Sequence, residues 1–200
     1  MSAHDPRVDL LRHLVATIAF RATVAVRGFP AEAVTTAPVT AAPGSIGPST
    51  TAPEAGSRAP LELLAHVADL MQWSALLVRA QGRPRRVTDA SWQAAEERLY
   101  AGLADLDAAL VQGLAPEADV DMLVQGPLAD ALTHVGQLLL MRRLVGASAA
   151  PQRYARAPIE AGIVGPEQPG LEPETAGDRS EGDGTLAPDP APPARRSDDA

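Results

Sequence analysis

The chain has 200 residues, 46% of them hydrophobic, with a formal net charge of -8, only two Trp, two Tyr and two Phe, and no cysteine. That is enough apolar material for one aliphatic-cored domain with sequence left over. The missing cysteines exclude a disulfide framework, a thiolate metal site and a cysteine nucleophile, and the excess acid argues against a nucleic-acid partner, which needs clustered Lys and Arg. No segment approaches eighteen consecutive apolar residues, and the N-terminus "MSAHDPRVDL" has neither a basic n-region nor an apolar h-region. The expectation is a soluble, cytoplasmic protein that binds neither nucleic acid nor membrane.

Asp5-Pro6 is a helix start, a capping side chain followed by proline in the first turn, and Leu10, Leu11, Leu14 and Ile18 follow at helical spacing. A first helix is predicted over 6–27, ended by Gly28, Phe29 and Pro30. Residues 31–57 are too rich in Pro, Gly, Ser and Thr for a regular element and form a long connection. A second helix spans roughly 59–80, with Ser57 as its cap, Pro60 in its first turn and Gly82 past its end.

Thr88 or Asp89 opens a third helix, in which Trp92, Leu99, Leu103, Leu106 and Leu110 make an apolar stripe as far as Gly113. "LAPEADVDM" turns the chain, and a fourth helix runs over 127–144 to Gly146. No stretch alternates as a half-buried strand does, so the fold class is all-α, a four-helix bundle. Residues 147–169 keep a few apolar side chains that can drape on the bundle. The domain division is 1–168 for the bundle with its extension and 169–200 for an acidic, Pro-rich tail whose composition cannot bury enough surface to order itself.

Polar groups on apolar strips are the features that ask for an explanation. In "ADALTHVGQLLLMRR" Asp130 and His134 are i,i+4 neighbours, with Leu138 and Met141 continuing the strip. In the second helix His66 shares a strip with Leu63, Leu70, Trp73 and Leu77. Such a set is a hydrogen-bonded pair, a surface feature, or a metal site of the kind that imidazole and carboxylate on facing helices build for Zn, Fe, Ni or Mn. Of the remaining polar groups, His4 is read as solvated and His13, sharing a strip with Leu10, Thr17 and Phe20, as a core histidine. Glu62 or Asp69 is placed to accept the other ring proton of His66. Gln137 is read as a cavity-lining hydrogen-bonder, and Arg142 and Arg143 as complements to the negative helix end.

The phrases "PLELLAHVADLMQW" and "GPLADALTHVGQLLLMRRLVG", with "APIEAGIVGPEQ" after them, resemble the DinB/YfiT-like superfamily over roughly residues 5–168. The resemblance implies a four-helix bundle and a metal-dependent enzyme whose usual site is three histidines. His66 matches the first of these and His134 the last, while Asp130 stands where the remaining histidine normally is. It implies a divalent metal cofactor held by His66, Asp130 and His134, and thiol S-transfer, thiol-dependent isomerisation or hydrolysis as chemistry. The implied partners are a small-molecule substrate, a low-molecular-weight thiol among them, and a second copy of the chain. A carboxylate in place of imidazole favours harder metals. The rival reading is a non-catalytic interaction or stress-associated bundle whose metal site has decayed at Asp130, its acidic tail docking partners or keeping it in solution.

Because the tail offers no core, deleting the residues after 170 is expected to move the thermal midpoint by no more than about 2 °C, the scale of a neutral surface change. A larger drop in a calorimetric scan would show that the tail docks on the rest of the chain.

Overall fold

The computed structural model describes residues 5–36, 58–82 and 84–171. His4, the proposed cap Ser57, most of the 31–57 connection and the tail beyond 171 lie outside the described residues. Among the described residues every regular element is helical and no strand is present.

Helix α1, Pro6–Val26, starts as the sequence predicts, with Asp5 Oδ1 accepting the Arg7 N–H at 2.9 Å. It buries Leu11, Val15, Ile18, Ala19 and Ala22, whereas Leu10 is 71% exposed. Helix α2, Pro60–Val78, opens on Pro60, and Glu62 Oε2 accepts the Ala59 N–H at 3.1 Å. Its end differs from expectation. The left-handed residue is Ala80 (φ 52°), and the N–H of Gln81 returns to Leu76 O at 2.7 Å, a closure usually built on glycine.

Helix α3, Trp92–Gln112, is capped by Ser91, whose Oγ accepts the Ala94 N–H at 3.1 Å, rather than by Thr88 or Asp89. It ends at Gly113 (φ 101°), as expected. The last helical segment begins earlier than residue 127. A short helix α4, Val120–Leu123, capped by Asp119, runs into a widened turn at Val124–Leu128 and then into α5, Ala129–Leu144. Inside that turn Gly126 leaves the helical region (φ -90°, ψ -106°), so the chain kinks between α4 and α5, as expected of the residue before Pro127, whose ring disfavours a helical conformation there.

Around one core of Leu, Val, Ile and Ala, α2 packs on α3 and α5, and α1 packs on the same two helices. Pairings fix the directions. Arg12 meets Asp107, Thr23 meets Tyr100 and Phe29 meets Trp92, so α1 and α3 run oppositely. Asp69 meets Arg98 and Arg79 meets Asp105, so α2 and α3 run the same way. A parallel pair needs a connection that travels the length of a helix. Residues 79–91, at roughly 3.3 Å per residue, comfortably cover the ~29 Å of a helix the length of α2. Where the two helices touch, Gly102 leaves room for Met71, whose Cβ would be 3.0 Å from any Cβ at position 102.

Helix α2 is long and apolar enough, by composition alone, to cross a membrane, and half of that stretch is buried inside the fold. Beyond α5 the chain lies against α1: Tyr154 meets the Phe20 ring edge-on at 6.3 Å, Arg21 stacks over Tyr154 at 4.1 Å, and Arg27 donates to Pro166 O at 3.0 Å. Arg142 lies in the last turn of α5, as read, but is buried there. Only 2% exposed, it donates from Nε to Ala147 O at 2.6 Å and from Nη1 to Val24 O at 2.8 Å, tying the end of α5 to the end of α1.

An alanine in the left-handed region costs about 1–2 kcal/mol, while glycine gives back about 0.5–1 kcal/mol in unfolded-state entropy. Ala80→Gly is therefore expected to stabilise the protein by about 0.5–1 kcal/mol. Urea melts should show a higher midpoint at unchanged slope, and a lower midpoint would contradict the strain at this position.

Candidate metal centre

The three residues singled out on α2 and α5 come together. One donor atom from each of His66, Asp130 and His134 lies within 4.8 Å of the other two. Asp130 Oδ1 is 3.2 Å from His134 Nε2, and its Oδ2 is 3.5 Å from His66 Nε2. The two imidazoles meet edge to face with centroids 4.9 Å apart. Metal bonds of ~2.0–2.2 Å place neighbouring donors about 3.0–3.5 Å apart, the range in which each imidazole stands from one oxygen of the carboxylate.

Local structure explains the aim of each side chain. The widened turn at Val124–Leu128 packs on α2, and the helix that leaves it carries Asp130 and His134 one turn apart toward His66. Val135 and Leu138, both 1% exposed, anchor the neighbouring face of α5 in the core. His134 Nδ1–H donates to Gln137 Oε1 at 2.8 Å, which directs the lone pair of Nε2 at the carboxylate. Gln137 itself is exposed and acts from the solvent side, not from within a cavity.

Burial depresses the pKa of His66, with Arg58 and His134 adding to the effect and Asp130 opposing it. A neutral imidazole is the form that donates a lone pair. Asp130 thus faces the Nε2 of both rings, at 3.2 Å from His134 and 3.5 Å from His66, close enough for a proton or a cation to lie between carboxylate and imidazole. Asp130 is 46% exposed, so the set opens to solvent on one side, where a ligand can approach.

The neighbours of His66 behave differently from expectation. Asp69 accepts from Arg98 Nη1 at 2.6 Å, and Glu62 is taken up by the Ala59 N–H, so both carboxylates are engaged away from the ring. Arg98, which sequence reasoning passed over, also donates to both oxygens of Asp89 and to Ala65 O at 2.8 Å. The signal was there, a lone arginine between Ala95, Leu99 and Gly102 on the buried side of α3. His13 is exposed and remote from the triad's strip, because the buried face of α1 centres on Leu11, Val15 and Ile18.

If Gln137 fixes the His134 ring as the geometry indicates, Gln137→Leu should weaken zinc binding by roughly 10–100-fold while leaving the fold intact. Calorimetric titration of the metal-free protein measures this. Unchanged affinity would mean that the bond does not orient the donor.

Comparison of the chain with family models, with curated proteins and with solved structures returned no match, so the functional reading stands on this geometry and on the sequence resemblance.

Proposed function

We propose that the chain is a four-helix bundle of the DinB/YfiT-like kind, holding one divalent ion with His66, Asp130 and His134, and acting as a cytoplasmic metal-dependent enzyme of the thiol S-transferase or hydrolase type. The observation that carries this reading is the convergence of three lone-pair donors from two helices far apart in sequence. A divalent ion held there supplies a Lewis acid that acidifies a bound water or thiol or polarises a carbonyl.

The residues supply the rest. Asp130 brings the only negative charge of the triad, which lowers the net charge of a loaded site and favours Mn, Fe or Zn over softer ions. Gln137 keeps the proton of His134 on Nδ1, and the burial of His66 keeps that ring neutral. With no cysteine in the chain, any thiol that reacts must come from a small molecule. The exposed side of the triad is where it enters.

Elemental analysis of protein purified without a polyhistidine tag is expected to find close to one divalent ion per chain. Protein that purifies empty and takes up no metal on titration would favour the non-catalytic bundle. Titration of metal-free variants tests the ligand set itself. Asp130→Ala should weaken binding by more than the roughly 100-fold that loss of a supporting hydrogen bond costs. Asp130→His should shift preference from Mn toward Zn or Ni, by exchanging an anionic oxygen for a neutral nitrogen. Equal binding by wild type and both variants would make the Asp130–His134 pair an internal hydrogen bond instead.

A further inference from the structure

Beside the triad runs a groove of about 490 Å³ between the first half of α2 and residues 86–89 of the returning segment. Its floor and walls include Leu61, Ala65 and Val87, and His66 reaches it from the triad side. Two arginines also line it, Arg58 ahead of α2 and Arg86 on the returning segment, and both are exposed.

The charges in this groove are not equivalent. Asp69 and Asp89 both accept from Arg98, behind the wall, and Glu62 accepts from a backbone N–H. Among the described residues Arg58 and Arg86 make no hydrogen bond or ion pair. The groove therefore presents two uncommitted guanidinium forks above an apolar floor, with its carboxylates already satisfied. Guanidinium forks match planar carboxylates and phosphates. Glu62 and Asp130 lie close by, so a phosphate dianion would add a second negative charge where one is already tolerated with difficulty. A single carboxylate is the anion that this balance accepts.

We infer that the groove is a substrate site for a small molecule bearing one carboxylate on an apolar body, the carboxylate held by Arg58 and Arg86 and the body lying on Leu61, Ala65 and Val87 with its far end toward His66. This deepens the metal-enzyme reading, on which it depends only for what happens at that far end. Binding of the anion needs no metal.

The test uses the full chain, metal-free, titrated by ligand-observed NMR with benzoate, with neutral benzamide and with inorganic phosphate. Benzoate is expected to bind saturably, and benzamide at least about tenfold more weakly, because it lacks the charge that strengthens hydrogen bonds to arginine. Arg58→Gln and Arg86→Gln should each weaken benzoate by about tenfold. Neither side chain has a hydrogen-bond or ion-pair partner among the described residues, so melting curves of both variants should overlay wild type and show that the loss is local.

Benzamide binding as well as benzoate, both variants binding like wild type, or phosphate binding more tightly than benzoate would each overturn the assignment. Zinc titration of the same samples separates the two readings. Benzoate bound with no zinc uptake upholds the groove and overturns the metal centre. Zinc uptake with no benzoate bound does the reverse.

Discussion

The guanidinium of Arg98 is the contact on which the rest of the arrangement turns. Parallel helices α2 and α3 require a connection that doubles back along them, and such a segment is held only where something fixes it. Arg98 binds Asp89 on that segment, Asp69 on α2 and the carbonyl of Ala65, so one side chain joins three pieces of chain. Side-chain exposures of 12% for Arg98, 16% for Asp69 and 6% for Asp89 make this a largely desolvated cluster. Two carboxylates and one guanidinium in such surroundings hold one another in place, since removal of the cation strands two buried anions. The Ala65 carbonyl precedes His66, so the same cluster that sets the helix pair also sets the backbone beneath the His66 ring.

The other half of the site depends on a defect. A regular helix through residues 120–144 would have placed Asp130 and His134 by uninterrupted 100° steps from Val120. The kink at Gly126, within Val124–Leu128, interrupts those steps and so changes which side of α5 meets α2. Proline at 127 makes the kink the inexpensive solution, because a regular turn there would lose a hydrogen bond and clash. At its far end α5 is held by Arg142, which reaches Val24 O on α1. With one end wedged and the other tied, rotation of the helix about its own axis is restrained, and the direction of His134 with it.

How much of this could be read from residues alone follows from the range of each interaction. Asp5-Pro6, Pro60 and Gly113 act on their own neighbourhood, and the helix ends they signal are where the sequence puts them. The apolar stripe of α3 and the all-helical class are equally local in origin. Ser91 instead of Asp89 as the cap was not legible, because Asp89 is drawn off by an arginine nine residues later. Asp69 and Arg142 find partners on other elements, Arg98 of α3 and Val24 O of α1, about which spacing carries no information, whereas Glu62 turns back to the Ala59 N–H at the start of its own helix. His13 shows a different failure. The buried face of α1 is centred one residue, about 100°, away from the strip that Leu10 suggested. Only the triad of His66, Asp130 and His134 escaped this, since the helical strip and the family resemblance pointed to the same three positions.

His66 belongs to two features at once, the triad with Asp130 and His134 and the groove bounded by residues 86–89. Among the residues given to either, it is the one they share. The turn of α2 that presents it is fixed by Glu62 at the helix start, by Ala65 O and Asp69 through Arg98, and by Leu63, Leu64 and Val67 in the core. Restraint of that kind removes the entropy that a flexible ligand would lose on binding, so donors arrive already oriented. It also means that the groove and the triad cannot move independently on the α2 side. Adjustment to an ion or a ligand falls to the parts that face water, the half-exposed Asp130, Arg58 and the segment bearing Arg86.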